Sequence, residues 1–347
     1  MNEASAHFSG QLATGLIDLT DDPAALDSAG WWVVVAPYDK PGLYARFAEV
    51  RPAKITGGAW AGVPRDSWAS SMTRGQYVAA VARVREHIAA GDVYQANVCR
   101  VMSAPIPDPQ RADVAGLAGL LAAGNPAPYG GFVRLPEGTH RRVPEGGVHV
   151  VTASPELFLR REGSVVESGP IKGTGRTAAD LQPKDTAENV MIVDLVRNDL
   201  SVVCRTGSVS VPRLLSLEEH PGLVHLVSYV RGELTEDATW HDVFDATFPP
   251  GSVTGAPKSS ALRIIDEVEL ASRGPYCGAI GWVDADAKRA ELAVAIRTFW
   301  LADGAVHFGT GAGITWGSDP EHEWAETELK AKTLLSVTAV SWEVDDL

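Results

Sequence analysis

The stretch VHVVTASPELFLRREGSVVESGPIKGTGRTAADLQPKDTAENVMIVDLVRNDL, residues 148–200, decides the fold class. Its spacing predicts a strand over 148–152, the segment SPELF at 154–158, a second strand over 164–168, and then a Gly-rich turn fixed by Pro170 that carries Lys172. A helix is expected from about Lys184, because Glu188, Ile192 and Leu195 recur along one face. Strands follow one another closely enough for hairpins, and helices do not alternate with them strictly. This pattern favours an α+β fold over a doubly wound parallel sheet.

Working outward, residues 103–150 are rich in proline and include the polar run PEGTHRRVPEGG at 136–147, which reads as an exposed loop. Before them, alternation over 93–101 puts Tyr94, Ala96 and Val98 on one strand face and Gln95, Asn97 and Cys99 on the other, so two amide side chains share a space. Thr73 can cap a helix in which Tyr77, Val78, Val81, Val84 and Ile88 recur, with Gly91 as its stop. Residues 1–70 carry few helical signals and one expected buried strand, Trp31–Val35. The expected division is therefore a reduced N-terminal accessory segment, 1–72, packed on a catalytic unit, 73–347.

Across its 347 residues the chain is 45% hydrophobic and 21% charged, close to globular averages, which argues against disorder. Thirty basic against 44 acidic residues give a formal charge of −14, which repels a phosphate backbone and argues against nucleic acid as a partner. Cys99, Cys204 and Cys277 show no metal-knuckle spacing. No secretory signal and no membrane-length apolar run is read, so a cytoplasmic protein is expected.

Two acidic pairs share one spacing. Asp185 and Glu188 are three apart, and so are Glu323 and Glu326, with Lys330 one turn further on. On two facing helices they would form a four-oxygen nest suited to Mg²⁺, although Glu326 and Lys330 also fit an ordinary surface ion pair. Lys172 sits just past a strand end beside small residues, where desolvation can make an amine nucleophilic, although most loop lysines are simply solvated. Neither GPIKGTG nor PPGSVTGAPKSS matches the phosphate-binding GxxxxGK[ST] pattern. The glycines of GTGAGIT, 309–315, would let backbone approach a ligand. Arg297 lies in the otherwise apolar ELAVAIRTFWL and must find an anion, while His225 in GLVHLVSYV reads first as a hydrogen-bonded core histidine.

Together, the segments DVYQANV, SPELF, GPIKGT, DTAENVMIVDLVRNDL, LVHLVS, FPPGSVTGAPK, YCGAIGW, AIRT, GTGAGI and PEHEWAETELKAK resemble, in one order from about Thr73 onward, the chorismate-utilising enzymes. The resemblance implies their fold: large, mostly antiparallel β-sheets packed in a sandwich, with helices outside and the active site in the cleft. It also implies that Glu188 and Glu326 stand closest to Mg²⁺, with Asp185 and Glu323 assisting directly or through water. Arg297 and Tyr276, helped by backbone N–H groups near Gly311 and Gly313, would bind the enolpyruvyl carboxylate. Lys330 would meet the ring carboxylate, while Thr174 and the Ser252 to Thr254 loop would line the ring.

Lysine at position 172 marks the aminodeoxychorismate branch, in which the amine attacks C2 of chorismate and ammonia then adds at C4. Gln95 stands where water-adding relatives carry a basic lysine, and His225 matches a histidine linked to pyruvate elimination in anthranilate synthase. The implied partners are chorismate, ammonia and a separate glutamine amidotransferase subunit, since no nucleophilic cysteine elbow is read in this chain. A counterpart of the family's tryptophan segment is not read, so tryptophan feedback is not expected. The anthranilate branch, a secondary-metabolic aminating enzyme and a non-catalytic chorismate-binding subunit remain alternatives at this stage.

Overall fold

The structure is a computed structural model that describes residues 3–175, 177–220 and 223–340. Its strands form one hydrogen-bonded sheet of 18 strands, and every pairing is antiparallel. Gln95–Pro105 begins one arm, followed in the ladder by Ala305–Ile314, Thr298–Ala302, Val148–Ser154 and Tyr129–Leu135. The other arm runs from Ala279–Asp284 through Arg289–Val294, Leu157–Glu162 and Val165–Gly169 to Leu223–Glu233. The last strand pairs with both Ser210–His220 and Ile171–Gly175.

The arms turn back on each other. Val133, Leu135 and Val150 from one arm share a buried cluster with Ile280 and Ala293 from the other. Polar groups fasten them where they meet: Ser154 Oγ donates to the Val294 carbonyl at 2.6 Å, and Ala153 N–H donates to the Arg297 carbonyl at 3.0 Å. The expected sandwich is therefore a single ladder folded over its own apolar face.

Residues 1–72, expected as an accessory layer, supply the link between the arms. Ser5–Phe8 pairs with Tyr129–Leu135, and the ladder then passes through Gln11–Thr20, Leu43–Pro52 and Trp31–Ala36 to Ala279–Asp284. Of these strands, WWVVVA was legible because Trp32 to Ala36 are all buried. Gln11–Thr20 and Leu43–Pro52 are half-exposed and give no clean alternation.

Among the described residues six α-helices flank the sheet: α1 (Arg74–Ala90), α2 (Val114–Gly124), α3 (Pro183–Val203), α4 (Trp240–Thr247), α5 (Lys258–Val268) and α6 (Pro320–Thr338). The start of α1 follows the expected chemistry: Thr73 and Gln76 form a reciprocal capping box, and Gly91 ends the helix at φ +83°. Among the described residues, no helix is long and apolar enough to cross a membrane.

Candidate active site

Two of the expected local structures differ from the reading of the sequence, and both differences shape the site. Lys172 lies in a short strand, Ile171–Gly175, rather than in a turn. Gly173 within it has φ +84°, and a Cβ there would stand 2.8 Å from that of Asp185, so only glycine lets this strand lie against the start of α3. Arg297 does not continue a strand. The chain breaks between Arg289–Val294 and Thr298–Ala302, and Arg297 takes φ +51°, a strained geometry for a non-glycine residue.

The Lys172 side chain is partly buried and donates to the Ser252 carbonyl at 2.9 Å. Burial pushes its amine below the ordinary lysine range, while Glu188, Glu156 and Glu326 pull the other way and Lys330 adds to the fall. One lysine on a short strand thus senses carboxylates from α3, from α6 and from SPELF. The amine therefore faces the acidic cleft.

The acids of that cleft are unevenly satisfied. Burial raises Glu188 above the usual carboxyl range; Lys172 and Lys184 oppose the rise, and Asp185 and Glu323 add to it. Burial likewise raises Glu323, with Ser318, Lys184 and Lys330 opposing and Glu326 contributing. Burial would raise Glu326 too, but Lys330 at 2.7 Å, with Lys184 and Lys172, holds it below its ordinary value. Asp185 accepts from the Gln182 N–H at 2.8 Å and so caps its own helix.

The expected four-oxygen nest is not preformed. Among the described residues no three His, Cys, Asp or Glu side chains converge as a metal cage. Asp185 is engaged at its helix cap and Glu326 with Lys330. The donor set nevertheless fits Mg²⁺, which takes few protein oxygens and keeps several waters. Burial disfavours the charged forms of Glu188 and Glu323, a cost that a dication would relieve.

The remaining expected residues divide between the cleft and its scaffold. Gln95 is fully buried, and among the described residues both ends of its amide and Asn97 Oδ1 have no hydrogen-bond partner. A Cβ on Gly313 would stand 2.4 Å from Gln95 Nε2 and 3.2 Å from Asn97 Oδ1, so the two amides do share one space. The space beside Gly311 is filled by Cys99, and the Gly311 carbonyl accepts from Lys330 Nζ at 3.2 Å. Burial lowers the Arg297 guanidinium, and among the described residues no acidic group offsets it. A cation held this way offers itself to an anionic ligand.

Tyr276 is buried, and its ring fills the space that a Cβ on Gly309 would need. The Thr254 hydroxyl is engaged within its own turn. It donates back to the Pro250 and Gly251 carbonyls, which also accept from the Val253 and Thr254 N–H groups. His225 is buried in Leu223–Glu233, opposite Thr174 and Glu218 in the ladder. The side chain of Thr174 lies outside the described residues.

Two functional groups escaped sequence reasoning. Glu156 of SPELF is 4% exposed, and burial raises its carboxyl against the pull of Ser252, Lys172 and the Ile171 N–H. Among the described residues one of its oxygens has no partner. A single acid flanked by Pro155 and Leu157 between two strands was the available signal. Arg273 is 1% exposed and donates to Glu269, to the Val253 carbonyl at 2.9 Å and to the Asn97 carbonyl at 3.3 Å. It ties the Ser252 turn to the strand that carries Gln95.

This arrangement of a desolvated amine, neighbouring carboxylates and a buried guanidinium suits a small anionic substrate bound with a metal ion. The chorismate binding enzyme model matches residues 49–336. The chain belongs to this family. It is 41% identical over 281 residues to anthranilate synthase component 1 of Streptomyces coelicolor, covering 78% of this chain and 52% of the relative. Aminodeoxychorismate synthase component 1 of Escherichia coli is 36% identical over 281 residues, with 77% and 58% covered. The chain thus spans about half the length of the curated relatives it matches. The crystal structure of anthranilate synthase component I from Streptococcus pneumoniae shares the fold, with a TM-score of 0.74, 24% identity and 96% and 91% of the two chains covered.

Proposed function

We propose that the chain acts as an aminodeoxychorismate synthase component I, converting chorismate and ammonia to 4-amino-4-deoxychorismate and water. The carrying observation is Lys172: its amine is desolvated, anchored on the Ser252 carbonyl, and turned toward Glu156, Glu188 and Glu326. Desolvation favours the neutral form of an amine, which is the nucleophilic one. Its nitrogen forms a bond to C2 as the C4–O bond breaks, and the Glu156 carboxyl gives its proton to the departing hydroxyl, which leaves as water. Ammonia then bonds to C4 and the C2–N bond breaks, which frees the Lys172 amine. The new C4 ammonium returns a proton to Glu156, so the acid is restored for the next cycle.

Arg297 supplies the positive charge for one substrate carboxylate, and Lys330 lies close enough to the acidic cleft to meet the other. Gln95 presents an uncharged amide, which cannot act as the base that would activate water. Magnesium bound by Glu188 and Glu326, with Asp185 and Glu323 assisting, would supply positive charge for the ring carboxylate and for the departing oxygen. A separate glutamine amidotransferase subunit would provide the ammonia. The anthranilate reading is favoured by one observation: the Streptomyces coelicolor anthranilate synthase component 1 is more similar to this chain than the aminodeoxychorismate synthase is.

Incubating the purified chain with chorismate, ammonium and Mg²⁺ and identifying the product by mass and fluorescence separates the two. Aminodeoxychorismate supports the proposal. Fluorescent anthranilate, formed without an added lyase, moves the chain to the other branch.

A further inference from the structure

Three successive carbonyls of the turn that holds the Lys172 amine go to three different partners. The Ser252 carbonyl accepts from Lys172 Nζ at 2.9 Å, the Val253 carbonyl from Arg273 at 2.9 Å, and the Thr254 carbonyl from the Asn97 N–H at 2.8 Å. The guanidinium that takes the middle one also reaches the Asn97 carbonyl at 3.3 Å and makes two bonds to Glu269, at 2.8 and 2.6 Å. Glu269 Oε1 in turn accepts from the Cys99 N–H at 2.8 Å. Two side chains four residues apart thus clip the turn to the strand Gln95–Pro105. Arg273 is buried and the Glu269 side chain is 7% exposed, so water screens the pair little. The clip rests on the N-terminal segment: Asp39 Oδ2 accepts from the Arg273 N–H at 2.7 Å and from the Ser272 hydroxyl at 2.6 Å, and the Tyr38 ring lies 4.3 Å from the guanidinium.

We infer that Arg273, paired with Glu269, is a positioning residue for the nucleophile: it fixes the Ser252 carbonyl relative to the strand that carries Gln95, and so fixes the aim of the Lys172 amine. This role rests on the proposed use of Lys172 as nucleophile and deepens it. A neutral amine that gives one N–H to a carbonyl no longer turns freely about its Cε–Nζ bond, which narrows the directions its lone pair can take. A carbonyl held to one place therefore lowers the cost of reaching the reactive geometry. Arg273 acts through the turn and not on the substrate. Lysine in its place would keep the buried charge beside Glu269 but lacks the planar fork that serves a carboxylate and two carbonyls at once.

The test reads the first covalent step alone. The full chain is mixed with chorismate and Mg²⁺ without ammonium and quenched over time, and the peptide containing Lys172 is followed for a gain of the mass of chorismate less one water. Arg273→Lys should slow this gain about tenfold, because misplacing a reacting group by about 1 Å can cost about a hundredfold and this displacement is smaller. The half-saturating chorismate concentration should stay within about twofold, as expected for a group that does not bind substrate. Asp39→Ala, at an exposed position where the fold is secure, removes the outer support of the clip and should slow the gain about threefold, in line with one lost hydrogen bond. Arg134→Lys alters another mostly buried arginine, paired with Asp113 at the start of α2, and should keep the rate within about twofold whatever its melting temperature. Parental rates in the Arg273 and Asp39 variants that fold, or equal slowing in Arg134→Lys, overturn the positioning role while leaving the amination reading intact. An unaltered chain that forms no adduct at Lys172 removes both.

Discussion

Lys172 and Lys330 face the same carboxylates under different physical constraints. Lys330 is half-exposed on α6 and pairs with Glu326 one helical turn away, an arrangement that water screens and that any solvated helix could make. Lys172 sits on a short strand, loses hydration and is held below the ordinary lysine range despite three carboxylates that favour its charged form. Residue type therefore does not set the role. The difference is between an amine whose charge is useful and an amine whose lone pair is useful.

The largest expected effect tests that contrast directly. Lys172→Ala should lower amination by at least about a hundredfold, as loss of a covalent nucleophile does, with a melting temperature close to that of the unaltered chain. Lys330→Ala should instead raise the chorismate KM a few-fold with kcat nearly unchanged, because a screened surface pair contributes about 0–1 kcal/mol. Equal losses in the two variants, measured by steady-state kinetics, would erase the distinction.

Between these extremes lie the acids. Glu188→Gln and Glu326→Gln should both weaken Mg²⁺ binding by calorimetry, since a carboxamide brings no charge to a hard dication. Their metal-free stabilities should diverge. Glu188 is penalised for being charged, so its amide variant should melt no lower than the parent. Glu326 is stabilised by Lys330, so its variant should melt slightly lower.

The smallest effect concerns pH. Glu188 and Glu323 have folded values raised above 4.5, so each takes up a proton on folding. Their cost to the metal-free fold is full at neutral pH and disappears as pH falls through the raised values toward 4.5. Mg²⁺ requires the ionised forms, so its stabilising shift in melting temperature should shrink over the same window. A metal shift constant from pH 7 down to 4.5 would contradict this assignment.

How much of this was legible in the sequence follows from what is local. Helix α1 announced itself because its cap, its stop and its apolar face lie within one short segment. The acidic pairs and Lys172 were visible as patterns, and the order of short motifs carried the family. Long-range pairing left no local trace. Trp31–Ala36 meets Ala279–Asp284, and no residue in either stretch names its partner, so the first 72 residues read as an added layer. Glu156 and Arg273 escaped for a related reason. Their roles depend on burial against segments distant in sequence, the Ser252 turn above all, and isolated charges in a sequence look solvated. The kink at Arg297 was hidden because its neighbours in ELAVAIRTFWL are mostly apolar, and hydropathy does not report φ.

The account stands on the Lys172 amine as the group that bonds to the substrate. The most direct measurement is peptide mass analysis of the chain incubated with chorismate and Mg²⁺ but without ammonium, then quenched in acid. The account predicts that the peptide containing Lys172 gains the mass of chorismate less one water, and that added ammonium discharges it. An unmodified Lys172 together with full amination by Lys172→Ala would contradict it.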